Sequence, residues 1–448
     1  MNAQGWRPRR RQILTGGAAA AGALMLPGRA PAAIGKKPLS GVTLNISCWS
    51  APYPLMLRKY IPEFEAMTGA RVNYTTPSFP IYNQRMDLAL ATRSGAYDVI
   101  NVTFIFIGRW IGAGWVTPLD QFIANPKLTP AAWDAGDFLP GAANVFRDAK
   151  GRLCAVPWIA DVMMAGASRY DLIRQAGFTM PDTFAEMPKM LAAVNGKSGV
   201  PGFITENHYG WTFVGYLQGF GANVFRNPPH DLMPLLDTPE AIAAAGFFSD
   251  LLRKYGPKGA LSYTYDEVVA GLQNGQLNYA TENEDFVVPM AQAKSKVAAT
   301  CGFSMFPAGP AGRFPQIASH GWGIPVGSTK KEAAWQFITW ALSKPLLLRM
   351  FHDQGWSSIT RRSIIELPEF RRKLTYNGFD VAKMYLDTVD LGAKGYMAYR
   401  TVPPYPQVDR ELDIAIQSIV SGEKSAQAAM AAAQRNSVAQ LRRAGVKL

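Results

Sequence analysis

Cysteine is scarce in this chain. Cys48, Cys154 and Cys301 are the three in 448 residues, and they lie far apart. An odd number allows one internal disulfide at most, which excludes a cross-linked scaffold. Cys48 and Cys154 sit in apolar surroundings, where a thiol serves as a small hydrophobe. Histidine is almost as rare, and His208, His230, His320 and His352 stand alone, with no nearby His or Cys to complete a metal set. His320, beside Gly321 and Trp322, suits a cleft, a surface or a hinge equally. No Gly-x-Ser-x-Gly elbow, Walker loop, complete Gly-x-Gly-x-x-Gly or His-Glu-x-x-His occurs, so familiar catalytic chemistry has no anchor. The charge of +13 is scattered without a run, which argues against a nucleic-acid arm. No apolar stretch is long enough to span a bilayer, because the run Val102 to Ile111 is short and broken by Gly108 and Arg109.

What is present begins with an address. Arg7, Arg9, Arg10 and Arg11 precede Gln12-Ile13-Leu14, the weakly apolar run Gly16 to Leu26, and the small-x-small site Ala30-Pro31-Ala32. Residues 1–33 therefore read as a signal peptide, and Arg10-Arg11-x-x-Leu14 resembles the twin-arginine type. No cysteine lies near the cleavage point for lipid attachment. A soluble, exported, periplasmic protein is expected. The net positive charge shrinks when these arginines and Arg29 are removed with the segment.

Beyond it, the length implies more than one domain, and 48% hydrophobic with 18% charged residues is a globular balance. Aromatics reach 11%, with 11 Trp, which suits a site built from flat apolar faces as well as a large core. Val42 to Thr103 reads β-α-β-α-β. Val42, Leu44, Ile46 and Cys48 alternate, Leu55 to Met67 follow a helical period stopped by Gly69, and Val72 and Tyr74 mark a second strand. Ile81 to Arg93 predicts a helix, and Asp98 to Val102 a third strand. Such alternation implies a parallel sheet with ligands beyond the carboxyl ends of its strands.

A second informative stretch is Ala318 to Lys344, with a glycine-rich strand over Gly321–Val326. A helix follows, opened by a Thr329/Glu332 capping box and bearing Ala334, Phe337, Ile338 and Ala341 on one face. Its wording resembles that of extracellular solute-binding proteins of family 1, which deliver sugars to ABC importers. Asp148 to Trp158, Arg169 to Met187, Gly219 to Asn223 and the closing helices Leu412–Gly422 and Ala426–Gly445 resemble further passages of the same family, in order, from about Val42 to Gly445.

The resemblance implies an α/β, two-lobed periplasmic binding protein fold of type II, like maltose-binding protein. Each lobe is a sheet flanked by helices. Lobe 1 is expected over 40–155 and 305–353, and lobe 2 over 156–304 and 354–448, with crossings near 148–158, 304–318 and 351–358. It implies no catalysis and no cofactor, and a monomer that closes around a carbohydrate or polyol and docks on membrane permease subunits.

A sugar site needs fixed donors and acceptors for hydroxyls and aromatic planes for C–H faces. The loops that the resemblance directs to the cleft offer Trp49, Tyr53, Asn101, Thr103, Trp158, Asp161, Trp211, Glu282, Glu284, Trp322, Trp356 and Arg361. Trp49 and Trp322 serve equally as packing, and the Glu282–Asp285 acids as a solvated turn. Aromatic and acidic groups also suit a polyamine. An exported carbohydrate-active enzyme would instead use two carboxylates, such as Asp161 with Glu282 or Glu284.

Overall fold

The computed structural model describes residues 37–355 and 358–448, so the signal segment 1–33 lies outside the described residues. Strand Thr43–Ser47 pairs in parallel with Arg71–Thr75 on one side and with Val99–Val102 on the other. Strand Ile317–Gly323 then lies antiparallel to Val99–Val102. Its other neighbour is Ala155–Ala167, a strand of 13 residues buried throughout.

This long strand serves two half-sheets. From Ala155 to Val162 it pairs with Ile317–Gly323. From Met163 to Ala167 it pairs with Tyr279–Asn283, and Gly302–Met305 takes the place beyond Ile317. Phe203–Ile204 extends the second half-sheet in parallel. Helices pack on both faces, which is why Val156 to Ala167 reads as a nearly continuous apolar run broken by Asp161.

Local chemistry accounts for where elements depart from expectation. The Leu55–Met67 period is realised as two helices, Pro52–Leu57 and Ile61–Thr68. Pro62 has no N–H to give the preceding turn and starts a new helix instead. Gly69 closes it at φ 79°, as expected. The Thr329/Glu332 capping box does not form, because the helix begins at Lys331 with no side-chain cap. Ser328 acts instead. Its hydroxyl accepts from the Lys330 N–H at 3.1 Å and donates to buried Asp98 at 2.8 Å. Asp98 also accepts from the Asn45 N–H at 2.9 Å and pairs with Lys330 at 3.1 Å. A buried carboxylate with charged and backbone donors outcompetes an exposed Glu332. The strand expected over Gly321–Val326 runs from Ile317 to Gly323.

The closing helices are Tyr405–Val420 and Ala426–Arg443, the latter capped by Ser425, which accepts from the Ala428 N–H at 3.2 Å. Cys48, Cys154 and Cys301 are free and buried. Among the described residues no helix is long and apolar enough to cross a membrane.

Candidate ligand-binding site

The carboxyl ends of the first and third strands meet the shared strand and Ile317–Gly323, and aromatic side chains gather there. Trp49 follows the first strand; its ring centroid is 5.1 Å from Phe79, 5.2 Å from His320 and 6.5 Å from Trp158. Tyr53 stacks on Trp158 at 4.8 Å, and its hydroxyl donates to the Ala341 carbonyl at 3.0 Å. Trp322 lies behind Trp158 and meets Phe337 edge-on, which makes it part of the packed wall.

Asn101 organises this group. Its Oδ1 accepts from Trp158 Nε1 at 2.8 Å, and its backbone N–H and C=O both bond the Tyr82 hydroxyl, at 2.8 and 2.7 Å. Its Nδ2 approaches His320 Nδ1 at 3.4 Å, and Trp49 Nε1 donates to the same nitrogen at 3.3 Å. Two donors aimed at Nδ1 make it the acceptor and place the imidazole proton on Nε2. Burial pulls the His320 pKa down to about 3, so the ring stays neutral. The sequence left His320 undecided; it sits 2% exposed in the middle of the group.

On the other side stand Trp211, from the short helix Tyr209–Thr212, and Arg400. Phe104, just past the third strand, meets the Trp211 ring at 5.1 Å and His320 at 5.5 Å. The Arg400 guanidinium carbon lies 3.8 Å from the Trp211 ring centre and 5.4 Å from that of Phe104. Arg400 Nε donates to the Tyr399 hydroxyl at 2.7 Å, which in turn bonds Gln316. Both of its Nη atoms, and Trp211 Nε1, are buried without a hydrogen-bond partner. Buried donors left unpaired cost about 1–3 kcal/mol each, and three of them lie together here.

A second group is acidic. Glu284 accepts from the Val162 N–H at 2.6 Å and from Ser358 Oγ at 2.8 Å. Asp161, on the shared strand, and Asp285 each bring an oxygen within 4.8 Å of it and of one another. Burial first, then Asp285, raises the Glu284 pKa to about 8; burial and Glu206 raise Asp285 to about 7. Burial, with Asp285 and Glu284, pushes Asp161 upward as well. Glu282 is wholly buried one step along the ladder; it accepts from the Glu206 N–H at 2.6 Å, and burial raises its pKa.

The structure thus brings Trp49, Tyr53, Asn101, Trp158 and Trp322 into one aromatic group, with Trp211 facing it, and gathers Asp161 and Glu284 in an acidic one. Thr103 turns away, its hydroxyl donating to Asn83 at 2.8 Å. Arg361 stands apart. Its Nε donates to the Leu342 carbonyl at 2.9 Å and its Nη1 to the Asp134 carbonyl at 3.0 Å, while the Trp133 and Phe138 rings flank it at 5.1 and 4.1 Å. Trp356 lies outside the described residues. Phe79, Phe104 and Arg400 were not anticipated. Arg400 lies in Ala-Tyr-Arg-Thr-Val-Pro-Pro, a segment without periodicity or motif, so no sequence signal could have found it.

Two half-sheets thus share one strand, with an aromatic and an acidic group of side chains along it. The model of the bacterial extracellular solute-binding proteins matches residues 56–345, and the chain belongs to that family. The mannitol-binding protein of Pseudomonas aeruginosa is 26% identical over 389 residues, spanning 82% of this chain and 85% of that protein. An ABC transporter solute binding protein from Agrobacterium vitis S4, solved with bound D-mannitol, is 26% identical with a TM-score of 0.77, over 90% of this chain and 99% of that one. A ribitol complex from Agrobacterium radiobacter K84 is 22% identical, also with a TM-score of 0.77 over 90% and 99%. The type II periplasmic binding protein fold expected from the sequence is the one observed.

Proposed function

We propose that this chain is the periplasmic receptor of an ABC importer for a linear polyol or small carbohydrate, which it carries unaltered. The observation that carries the reading is the Arg400 guanidinium, stacked on Trp211 with both Nη atoms buried and unpaired. Vicinal hydroxyls accept from such a planar fork, while Trp49, Phe104 and Trp211 offer apolar faces to a carbon chain. A polyamine fits this chamber poorly, because its ammonium groups would meet the fixed cation of Arg400. The mannitol and ribitol bound by the relatives point to the same ligand class.

In this reading the lobes are residues 40–155 with 305–353 and 156–304 with 354–448. The ligand bridges them, and binding favours the closed form only through its tighter grip there. The closed, monomeric receptor then docks on membrane permease subunits. Export through the twin-arginine pathway follows from Arg10 and Arg11.

Calorimetric titration of the mature chain with D-mannitol, sorbitol, ribitol, maltose, gluconate and spermidine tests the reading. Saturable binding of a polyol or sugar, with the ligand recovered intact after prolonged incubation, is the expected result. Binding of spermidine or gluconate alone would overturn the ligand class, and recovery of altered sugar would overturn the non-enzymatic role.

A further inference from the structure

The acidic group differs in kind from the aromatic chamber. Asp161 comes from the shared strand, while Glu284 and Asp285 open the short helix Glu284–Val287 that follows Tyr279–Asn283. Ser358, on the chain's later return, contributes a hydroxyl at 2.8 Å from Glu284. The charges that these three carboxyl groups feel are those of other carboxylates: Asp285 and Glu284 at Asp161, Asp285 at Glu284, and Glu206 at Asp285. Like charges packed this closely in a low-dielectric corner repel strongly unless something positive stands among them.

Independent of the cluster, a neighbouring hydroxyl lacks a partner. Tyr385, on the helix Val381–Gly392, is 6% exposed, and its Oη is buried with no hydrogen bond. It lines, together with Glu284, a small cavity of about 20 Å³. Asp161 Oδ1 is likewise buried and unpaired, on a residue 6% exposed. The corner is reached from outside: Glu284, Asp285 and Ser358 also line an open pocket of about 280 Å³ with Pro52, Met56 and Tyr265.

We propose that Asp161, Glu284 and Asp285, with the Ser358 and Tyr385 hydroxyls close by, form a binding site for a hard divalent cation, and that calcium is preferred to magnesium. The donors are all oxygen, which disfavours zinc and softer ions. Their mutual separations of up to 4.8 Å suit an ion that takes irregular oxygen shells at about 2.3–2.6 Å. Magnesium demands a tighter octahedron at about 2.0–2.1 Å and sheds water reluctantly. A cation here ties together the shared strand, the turn after Tyr279–Asn283 and the return through Ser358. It therefore braces the shared strand against the turn after Tyr279–Asn283 and the return through Ser358.

The test uses the mature full-length protein, stripped with EDTA and dialysed at pH 7.5 without polyol, so that it does not depend on the ligand reading. Calcium chloride and magnesium chloride are titrated by calorimetry and followed by thermal shift. One equivalent of calcium should bind saturably and raise Tm, with magnesium at least about tenfold weaker. Asp161→Asn and Glu284→Gln each remove a charge while keeping shape. They should lower calcium affinity by at least about tenfold, and their Tm without calcium should equal or exceed that of the parent. Absence of saturable binding up to about 5 mM calcium, weaker than even the extracellular calcium modules, would overturn the proposal in favour of protons held by the carboxyl groups. Binding retained in both variants would overturn it too, since the ion would then sit elsewhere on the surface.

Discussion

Arg400 and Trp211 meet face on, the guanidinium carbon 3.8 Å from the indole centre, although they lie 189 positions apart in the chain. Stacking orients the fork, the Tyr399 hydroxyl holds its Nε at 2.7 Å, and the two Nη atoms are left without a partner. A desolvated contact of this kind contributes about 2 kcal/mol to holding the guanidinium in place.

Arg400→Lys is therefore expected to weaken polyol binding by about 100-fold or more, because a point ammonium neither stacks nor forks. Trp211→Ala should do the same through loss of the platform. Titration calorimetry on both variants checks this, with circular dichroism to confirm folding.

Arg361→Ala should behave in the opposite sense. Its guanidinium is buried among the Leu342 and Asp134 carbonyls and two aromatic rings, away from the chamber. A loss of about 1–3 kcal/mol for each carbonyl left without its donor is expected in urea unfolding, with polyol affinity of the surviving folded fraction little changed.

Asn101→Leu removes the acceptor of Trp158 Nε1 and one neighbour of His320. Stability should fall by about 1–3 kcal/mol, and affinity should fall with it as Trp158 and His320 lose their fixed orientation. An Asn101→Asp variant, which keeps the acceptor, should retain more of the affinity than Asn101→Leu in the same titration.

Folding stability should decline as pH rises from about 4 to 9. Burial raises Glu206 to about 7 and Asp413 to about 6, beside Glu284 at about 8 and Asp285 at about 7. For His208, burial lowers the pKa, but Asp409, Asp413 and Glu206 prevail and raise it to about 9. Every one of these groups holds its proton more tightly folded than unfolded, where carboxyls titrate near 4 and imidazole near about 6.5. The stability they confer is present at low pH and lost as pH climbs through the folded values. His320, lowered to about 3, acts in the other direction, and only below about 6.5. Tm measured in EDTA across this range should fall, and Glu284→Gln should flatten the slope.

Gly108 permits a close approach. A Cβ there would lie 2.6 Å from the Val402 carbonyl carbon and oxygen, backbone atoms two residues beyond Arg400. Gly108→Ala should push the Arg400 segment away from the helix Ile107–Gly112. The expected cost is about 1–3 kcal/mol in ligand affinity or stability, read by calorimetry and thermal unfolding together.

Local patterns were legible where the chemistry was local. The β-α-β order and the Gly69 stop followed from periodicity and glycine chemistry and stand where expected. Trp158 was singled out because the resemblance puts it at a crossing between lobes, and it stands on the shared strand stacked against Tyr53. The capping box at Thr329 failed because Asp98, about 230 positions away, supplied a better partner to Ser328. The same distance hid Arg400 from its platform and Asp161 from Glu284. Their meaning arises from pairing between strands and segments that no window of sequence contains.

The shared strand Ala155–Ala167 also has a mechanical consequence. It is continuous between the two half-sheets, paired with Ile317–Gly323 on one edge up to Val162 and with Tyr279–Asn283 and Gly302–Met305 on both edges beyond it. Its register slips once, opposite the irregularity between His320 and Gly321, beside the aromatic chamber. The change of partner itself falls four residues further on, between Val162 and Met163, so a shift of one half-sheet against the other would bend the chain there, next to Asp161.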